Sequence, residues 1–251
     1  MKSIIFLFLA TLAICHDTEL PINFGMLLFP GFQPVDVIGP MDVFNTIGTQ
    51  YKIHTFFVTE TTDPVPFGVQ HLPWFTPRNI TGSTSEGAYV ATYNFTSAPP
   101  IDVLLIPGGI GNRAPIPLFN STIDYVKEVY PSLKYLFTVC TGSGIAARAG
   151  VLDGKRATTN KMAWAPTILL GPKVKWVAEA RWVQDGNIWT SSGVMAGIDA
   201  AYAFVSEIYS ETVSLRAANM MEYVRHPNST DDPFATLNGL TNEKNSTHPV
   251  V

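Results

Sequence analysis

Tyr135-Leu-Phe-Thr-Val-Cys140-Thr-Gly-Ser-Gly144 joins a run suited to a buried strand to a run of small residues suited to a helix start, with one cysteine at the join. Such a strand–turn–helix sets a nucleophile on a strained turn, lifts its side chain above the sheet edge and points the next backbone N–H groups at whatever it attacks. The segment has the form of a nucleophile elbow, with Cys140 in place of serine and Val139 in place of the usual first glycine. A helix N-terminus favours a thiolate, so the stretch predicts a Cys140 thiol of depressed pKa. A buried structural cysteine is the other reading of one thiol after an apolar strand.

Outward from the elbow, the flanking runs read as its partners. Asp102-Val-Leu-Leu-Ile-Pro-Gly-Gly109 and Ile22-Asn-Phe-Gly-Met-Leu-Leu-Phe29 are the continuous apolar runs expected of central parallel strands. The later run ends in Gly108 and Gly109, which permit positive φ and close backbone approach, so their N–H groups could face a ligand; an ordinary turn is the plainer reading. After the earlier run, Pro34 suits the start of a helix with an irregularity at Gly39-Pro40. Asp36 falls in its first turn, close to the carboxyl end of a strand, where open α/β sheets place ligands. A helix-start carboxylate facing solvent is the alternative for Asp36.

Tyr51–Val58 reads as another strand, with His54 a strand residue rather than a catalyst. Residues 63–100, in which Pro, Gly, Ser and Thr are frequent, read as an irregular excursion at a sheet edge with short β-like pieces such as Val90–Phe95, and Trp74 and Phe75 read as packing, with covering a pocket as the alternative. Ser121–Val129 and Thr141–Ala149 suit helices, Ala157–Asn160 and Val174–Val177 short strands, and Arg181–Thr190 a hairpin turning at Asp185-Gly186. Ser191-Ser-Gly193 leads into a helix whose apolar face includes Ile198, Tyr202 and Val205. A last helix spans about Glu211–Arg225, and the polar residues 226–251 read as a disordered tail.

A chain of 251 residues with no visible linker suits one α/β domain, here residues 22–225. Charged residues make up 14% and the net charge is −4, which leaves no electrostatic footprint for nucleic acid or an anionic membrane and favours a small-molecule or protein partner. Residues 1–15 place Lys2 before an apolar run and read as a secretory signal peptide. As a membrane span the run is short, because a span needs roughly 20 apolar residues. Five Asn-x-Ser/Thr sequons, at Asn79, Asn94, Asn120, Asn228 and Asn245, point to a secreted, glycosylated protein. If the leader is cut after Cys15, Cys140 is the one remaining cysteine, and an unpaired thiol in an oxidising compartment must be buried or used. No second cysteine and no spaced histidine cluster offers a metal site.

Over roughly residues 22–225 the chain resembles the ThiJ/PfpI superfamily, which has the class I glutamine amidotransferase-like, flavodoxin-type sandwich fold. The stretches that carry the resemblance are Phe29-Pro-Gly-Phe-Gln-Pro-Val-Asp-Val-Ile-Gly-Pro40, Asp102–Gly109, Val139-Cys-Thr-Gly-Ser143, Gly150-Val-Leu-Asp-Gly-Lys-Arg-Ala-Thr-Thr159 and Thr190-Ser-Ser-Gly-Val-Met-Ala-Gly-Ile-Asp199. It implies a flavodoxin-like three-layer sandwich with a mostly parallel central sheet and a nucleophile elbow. Asp36 with the Cys140-Thr141 pair is most similar to the isonitrile hydratase branch.

The resemblance implies Cys140 as nucleophile, Asp36 as the acid that contacts it and Thr141 as the residue placed just after it. It also implies donors around the reacting centre from Gly109 and the Thr141 N–H, with Gly108 and Gly193 as further oxyanion or substrate contacts, and a homodimer. The chain departs from the peptidase and glyoxalase-type members, which carry a catalytic histidine: Thr141 follows the cysteine here, and Ala157-Thr-Thr-Asn160 stands where related chains read Ala-Thr-Thr-His. An acyl-transfer dyad thus lacks its base. Hydration of an isonitrile to an N-substituted formamide tolerates that loss, since the terminal carbon accepts sulfur directly once an acid such as Asp36 supplies a proton. It calls for no metal or organic cofactor. The rival expectation is a non-catalytic redox-sensing or small-molecule-binding protein that keeps Cys140 as an oxidisable thiol.

Overall fold

The computed structural model describes residues 19–75, 84 and 87–242. The expected leader and the sequons at Asn79 and Asn245 lie outside the described residues. The first half of the chain supplies β1 (Asn23–Leu27), α1 (Pro34–Ile47), β2 (His54–Thr59), β3 (Val65–Pro66), β4 (Ala88–Tyr89), β5 (Tyr93–Asn94), β6 (Val103–Ile106) and α2 (Asn120–Val129). The second half supplies β7 (Tyr135–Thr138), α3 (Gly142–Arg148), β8 (Arg156–Ala157), α4 (Trp164–Ile168), β9 (Lys175–Trp176), β10 (Trp182–Asp185), β11 (Ile188–Ser191), α5 (Val194–Ile208), α6 (Glu211–Met220) and α7 (Pro233–Leu237).

Seven strands form the central sheet in the order β10-β11-β7-β6-β1-β2-β5, parallel throughout except for the β10–β11 hairpin at the edge. The apolar runs account for the middle of it: every residue of β6 is buried, and so are Phe24, Met26, Leu27, Leu136 and Phe137. From β1 the chain winds outward through β2 to β5; from β6 it winds the other way through β7. Right-handed crossovers then put α1 and α2 on opposite faces, which gives three layers. On one face α1, α5 and α6 pack together, and on the other α2 and α4 pack against α3. Phe44 of α1 lies tilted against Phe24, with ring centroids 4.7 Å apart, and edge-on to Phe137 and to Phe204 of α5, so aromatic contacts tie that helix layer to the sheet.

The reversal of winding falls between β1 and β6, and open α/β sheets hold their ligands in the crevice that such a reversal leaves at the strands' carboxyl ends. There the loop after β1 meets the loop after β6: Phe32 bridges Gly109, Gln33 N–H donates to the Gly108 carbonyl at 2.9 Å, and Gly111 N–H donates to the Gly31 carbonyl at 3.0 Å.

Most element expectations hold within a few residues, including the edge strand β5 within the excursion and the hairpin turn at Gly186. Helix α1 carries Pro40 in its interior. His54 is exposed and shares a hydrogen bond of 3.3 Å with Asn23 Oδ1, as befits a strand residue. The disordered tail is corrected for residues 226–242. Ser229 O accepts from Arg181 N–H at 2.7 Å, Asn242 Oδ1 accepts from Ala178 and Glu179 N–H groups at 2.9 and 3.1 Å, and Asp232 caps α7 while pairing with Lys161 at 3.2 Å. Side chains of that pair are at most 2% exposed, so this polar segment is held by one buried ion pair and a few backbone bonds where an apolar face was sought.

Candidate active site

Cys140 follows β7 with φ +57°, a left-handed conformation that costs a non-glycine residue about 1–2 kcal/mol. Its surroundings hold it there. Cys140 N–H donates to the Ser191 carbonyl at 3.2 Å, and the Cys140 carbonyl accepts from the hydroxyls of Thr159 at 3.0 Å and Ser143 at 3.3 Å. Ser191 Oγ in turn donates to the Thr138 carbonyl at 3.1 Å, locking the end of β11 to the end of β7. The elbow read from the sequence is therefore present, fixed by three strand ends.

Asp36 is fully buried, which corrects the alternative of a solvent-facing helix-start carboxylate. Its Oδ2 accepts from Gly108 N–H at 2.8 Å, whereas Oδ1 is buried with no hydrogen-bond partner. Gly108 is glycine for a steric reason: a Cβ there would stand 2.6 Å from Thr141 N and 2.9 Å from Cys140 Cβ. This close approach lets the β6 loop reach across the elbow and tether the carboxyl beside the thiol. Gly109, at φ +136°, donates its N–H to Thr141 Oγ1 at 3.2 Å. Both N–H groups expected to face a ligand are thus engaged inside the site, one on Asp36 and one on Thr141.

Thr141 Oγ1 also accepts from Asn112 Nδ2 at 2.8 Å, and that amide reaches the Thr141 carbonyl at 2.9 Å. With its acceptor side occupied twice, the Thr141 hydroxyl directs its proton to the Cys140 sulfur, and the Thr141 N–H and the Asn160 side chain serve the same sulfur. Asn160 Oδ1 accepts from Ala163 N–H at 3.1 Å, which turns the Asn160 NH₂ toward the site. Asn112 and Asn160 were not singled out as site residues from the sequence. The signal for Asn160 was its place where related chains carry histidine; Asn112 had none.

The expectation of a depressed thiol pKa is also corrected. Burial first, then the charge of Asp36, push the Cys140 thiol up to about 12, and the hydrogen bonds from Thr141 and Asn160 offset only part of this. Cys140 is only 8% exposed, and burial at that depth disfavours the thiolate more than the donors at the start of α3 favour it. Burial raises Asp36 as well, to about 7, with the Gly108 N–H as the one opposing contact. Around neutral pH the pair therefore holds a neutral thiol beside a carboxyl divided between its two protonation states.

Cys140 and Thr141 open on a cavity of about 270 Å³ bounded by Gln33, Gly109, Arg113, Asn160, Met162 and Val194. Gly193 precedes α5 and lies off this cavity in an adjoining one, with Asn160 Nδ2 4.0 Å from where its Cβ would be. The structure thus gathers Asp36, Gly108, Gly109, Cys140 and Thr141 in one cluster, with Gly193 at its margin. Among the described residues, no group of three or more His, Cys, Asp or Glu is placed to hold a metal ion. Of the sequons among the described residues, Asn120 and Asn228 are exposed and Asn94 is half-buried.

The DJ-1/PfpI family profile matches residues 24–210. The isonitrile hydratase of Pseudomonas putida is 32% identical over 206 residues, covering 82% of this chain and 80% of that protein. A deglycase from Pyrococcus horikoshii is 32% identical over 131 residues, 51% of this chain and 73% of its own. Among solved structures, a ThiJ/PfpI family protein from Pseudomonas syringae superposes with a TM-score of 0.64 at 28% identity, covering 87% of this chain and 84% of the other. The chain belongs to the DJ-1/PfpI family.

Proposed function

From that membership we propose that this protein is a cysteine-dependent hydratase that adds water to a small isonitrile and releases the N-substituted formamide. The observation that carries the reading is Asp36: a buried carboxyl raised to about 7, tethered through one oxygen and with the other unpartnered, beside a neutral cysteine whose cavity is lined, among the described residues, by no histidine.

The chemistry follows from who holds the proton. Asp36 carboxylate takes the Cys140 thiol proton as sulfur bonds to the terminal carbon of R–N≡C. The negative charge on Asp36 is one cause of the high thiol pKa, so its own protonation removes that barrier at the moment sulfur needs its lone pair. Protonated Asp36 then gives the same proton to the carbon, leaving a thioimidate R–N=CH–S–Cys140 and a carboxylate again. Water attacks that carbon while Asp36 takes its proton and passes it to nitrogen. The tetrahedral adduct expels sulfur, which recovers the hydroxyl proton as the carbonyl forms, and R–NH–CHO leaves. One water is consumed and Cys140 is regenerated. The Thr141 and Asn160 donors steady the sulfur as it departs.

The rival redox-sensor reading calls for a low-pKa thiol, and a Cys140 pushed up to about 12 fits that poorly. Incubating purified protein with a small isonitrile and following formamide formation tests the proposal. Formamide production by wild type and none by Cys140→Ala supports it, and absence of product from any isonitrile overturns it. We also propose passage through the secretory pathway, supported by the apolar leader and the exposed Asn120 and Asn228. An endoglycosidase mobility shift after eukaryotic expression is the expected result, and a retained Met1 without a shift contradicts it. A homodimer is the arrangement we propose for the chain, to be read by sedimentation.

A further inference from the structure

Beside the Cys140 cavity lies a second one, of about 340 Å³, and the two share Asn160, Met162 and Val194 as a common wall. Its far side is closed by α7, through Phe234 and Leu237. This helix lies beyond residue 210, where the family match ends. Several apolar side chains around the cavity are left largely to water: Met162 is 89% exposed, Leu237 75% and Phe234 52%. Concentrated at the mouth of a site, exposed apolar surface marks a place where something apolar binds.

The charge of the lining narrows the occupant. Two cations reach this cavity, Lys161 and Arg181, and both are neutralised from behind. Lys161 is buried, pairs with Asp232 at 3.2 Å and donates to Thr158 Oγ1, Thr159 O and Ala180 O. Arg181 pairs with Asp199 through Nη2 at 2.6 Å and Nε at 2.8 Å. Neither has a charge to offer an anionic ligand. The Lys161–Asp232 pair has a second consequence, because Asp232 is also the N-cap of α7 and so fixes the apolar wall in place.

We infer that the α7 cavity is the pocket for the N-substituent of the isonitrile, and that the protein selects uncharged, apolar substituents; this rests on the hydratase reading above. The terminal carbon sits at Cys140, and the substituent extends past Asn160 and Met162 onto Val194, Phe234 and Leu237. Residues of α7 are thereby specificity-determining positions without touching the reacting atoms.

The test is kcat/KM for methyl, n-propyl and n-pentyl isonitrile and for an isonitrile ending in a carboxylate, in wild type, Leu237→Asp, Phe234→Ser and the surface control Leu215→Asp. In wild type we expect kcat/KM to rise about threefold to fourfold per methylene and the carboxylate compound to be at least about tenfold worse than n-pentyl isonitrile. Leu237→Asp and Phe234→Ser flatten the chain-length slope, and Leu215→Asp leaves it intact. Both α7 positions are exposed, so folding is expected to survive, and a far-ultraviolet spectrum confirms it. If wild type turns over no isonitrile, the site reading fails and takes this proposal with it. If isonitriles turn over but the slope is flat in wild type, or unchanged in both α7 variants, the pocket assignment alone is overturned. Loss of a dimer in Leu237→Asp with the slope retained overturns it too, by assigning the apolar patch to a second copy of the chain.

Discussion

Asp36 and Asp199 are both buried, at 0% and 2% exposure, and are treated oppositely by their surroundings. Asp199 accepts from Arg181 at two nitrogens, from Tyr223 OH at 3.0 Å and from His226 N–H at 3.0 Å. Among the described residues Asp36 receives one N–H and no cation, with one oxygen unpartnered. A carboxylate satisfied on every side braces the fold; it ties β10 and α5 to the start of the C-terminal segment. A carboxyl buried without compensation is held against its own preference, and such groups gather where protons are moved.

Exchange of each carboxyl for its amide should separate the two roles most widely in rate. With methyl isonitrile, whose substituent is too small to fill the α7 cavity that Arg181 lines, we expect Asp36→Asn to lower turnover by about 10²–10⁴ and Asp199→Asn to lower it far less per folded molecule. An equal loss in both would break the comparison.

Stability should move the other way. Asp199→Asn leaves Arg181 without its counter-charge and is expected to cost about 3–5 kcal/mol in urea denaturation. Asp36→Asn should not destabilise at neutral pH and above. The carboxyl's pKa is raised by folding from 3.8 to about 7, so its contribution is fully present below about 3.8 and is lost as pH rises through about 7. The amide does not titrate. Asp36→Asn is therefore expected to gain on wild type as pH climbs across that window, by about 1–3 kcal/mol at pH 8 once an unpartnered buried amide is allowed for. A gap between the two that is constant with pH would contradict a raised Asp36.

The smallest effect sharpens the site's interior. Thr141→Val removes the hydroxyl that links Gly109 and Asn112 to the sulfur, and kcat/KM should fall by about tenfold. Rates indistinguishable from wild type would show that the hydroxyl only packs.

The central sheet, the elbow and the C-terminal segment differ in how far the sequence discloses them. Uninterrupted apolar runs at Ile22–Phe29, Asp102–Gly109 and Tyr135–Cys140 disclosed the middle of the sheet, because a parallel strand covered on both faces has no polar face to show. Asp36 and Cys140 were legible as residues and not as states. Whether a helix-start carboxylate meets water depends on what crosses over it, and here that is Gly108, a loop distant in sequence. The state of the thiol is hidden for the same reason, since burial is set by the assembled loops and outweighs the donors of Thr141 and Asn160. Residues 226–242 looked structureless because their anchoring is polar: Asp232 finds Lys161, and Asn242 finds the backbone at Ala178, without any periodic apolar pattern.

In the proposed reaction Asp36, at about 7, carries the proton for a neutral Cys140. The most direct measurement is kcat/KM for n-propyl isonitrile from pH 5 to 10, in wild type and Asp36→Asn. We expect a wild-type rate that rises with a midpoint near 7, as Asp36 becomes the carboxylate that accepts the thiol proton, and loss of that limb in the variant. A midpoint near the free thiol value of about 8.5, unchanged by Asp36→Asn, would show that Cys140 reacts as its own thiolate and would rule out proton transfer through Asp36.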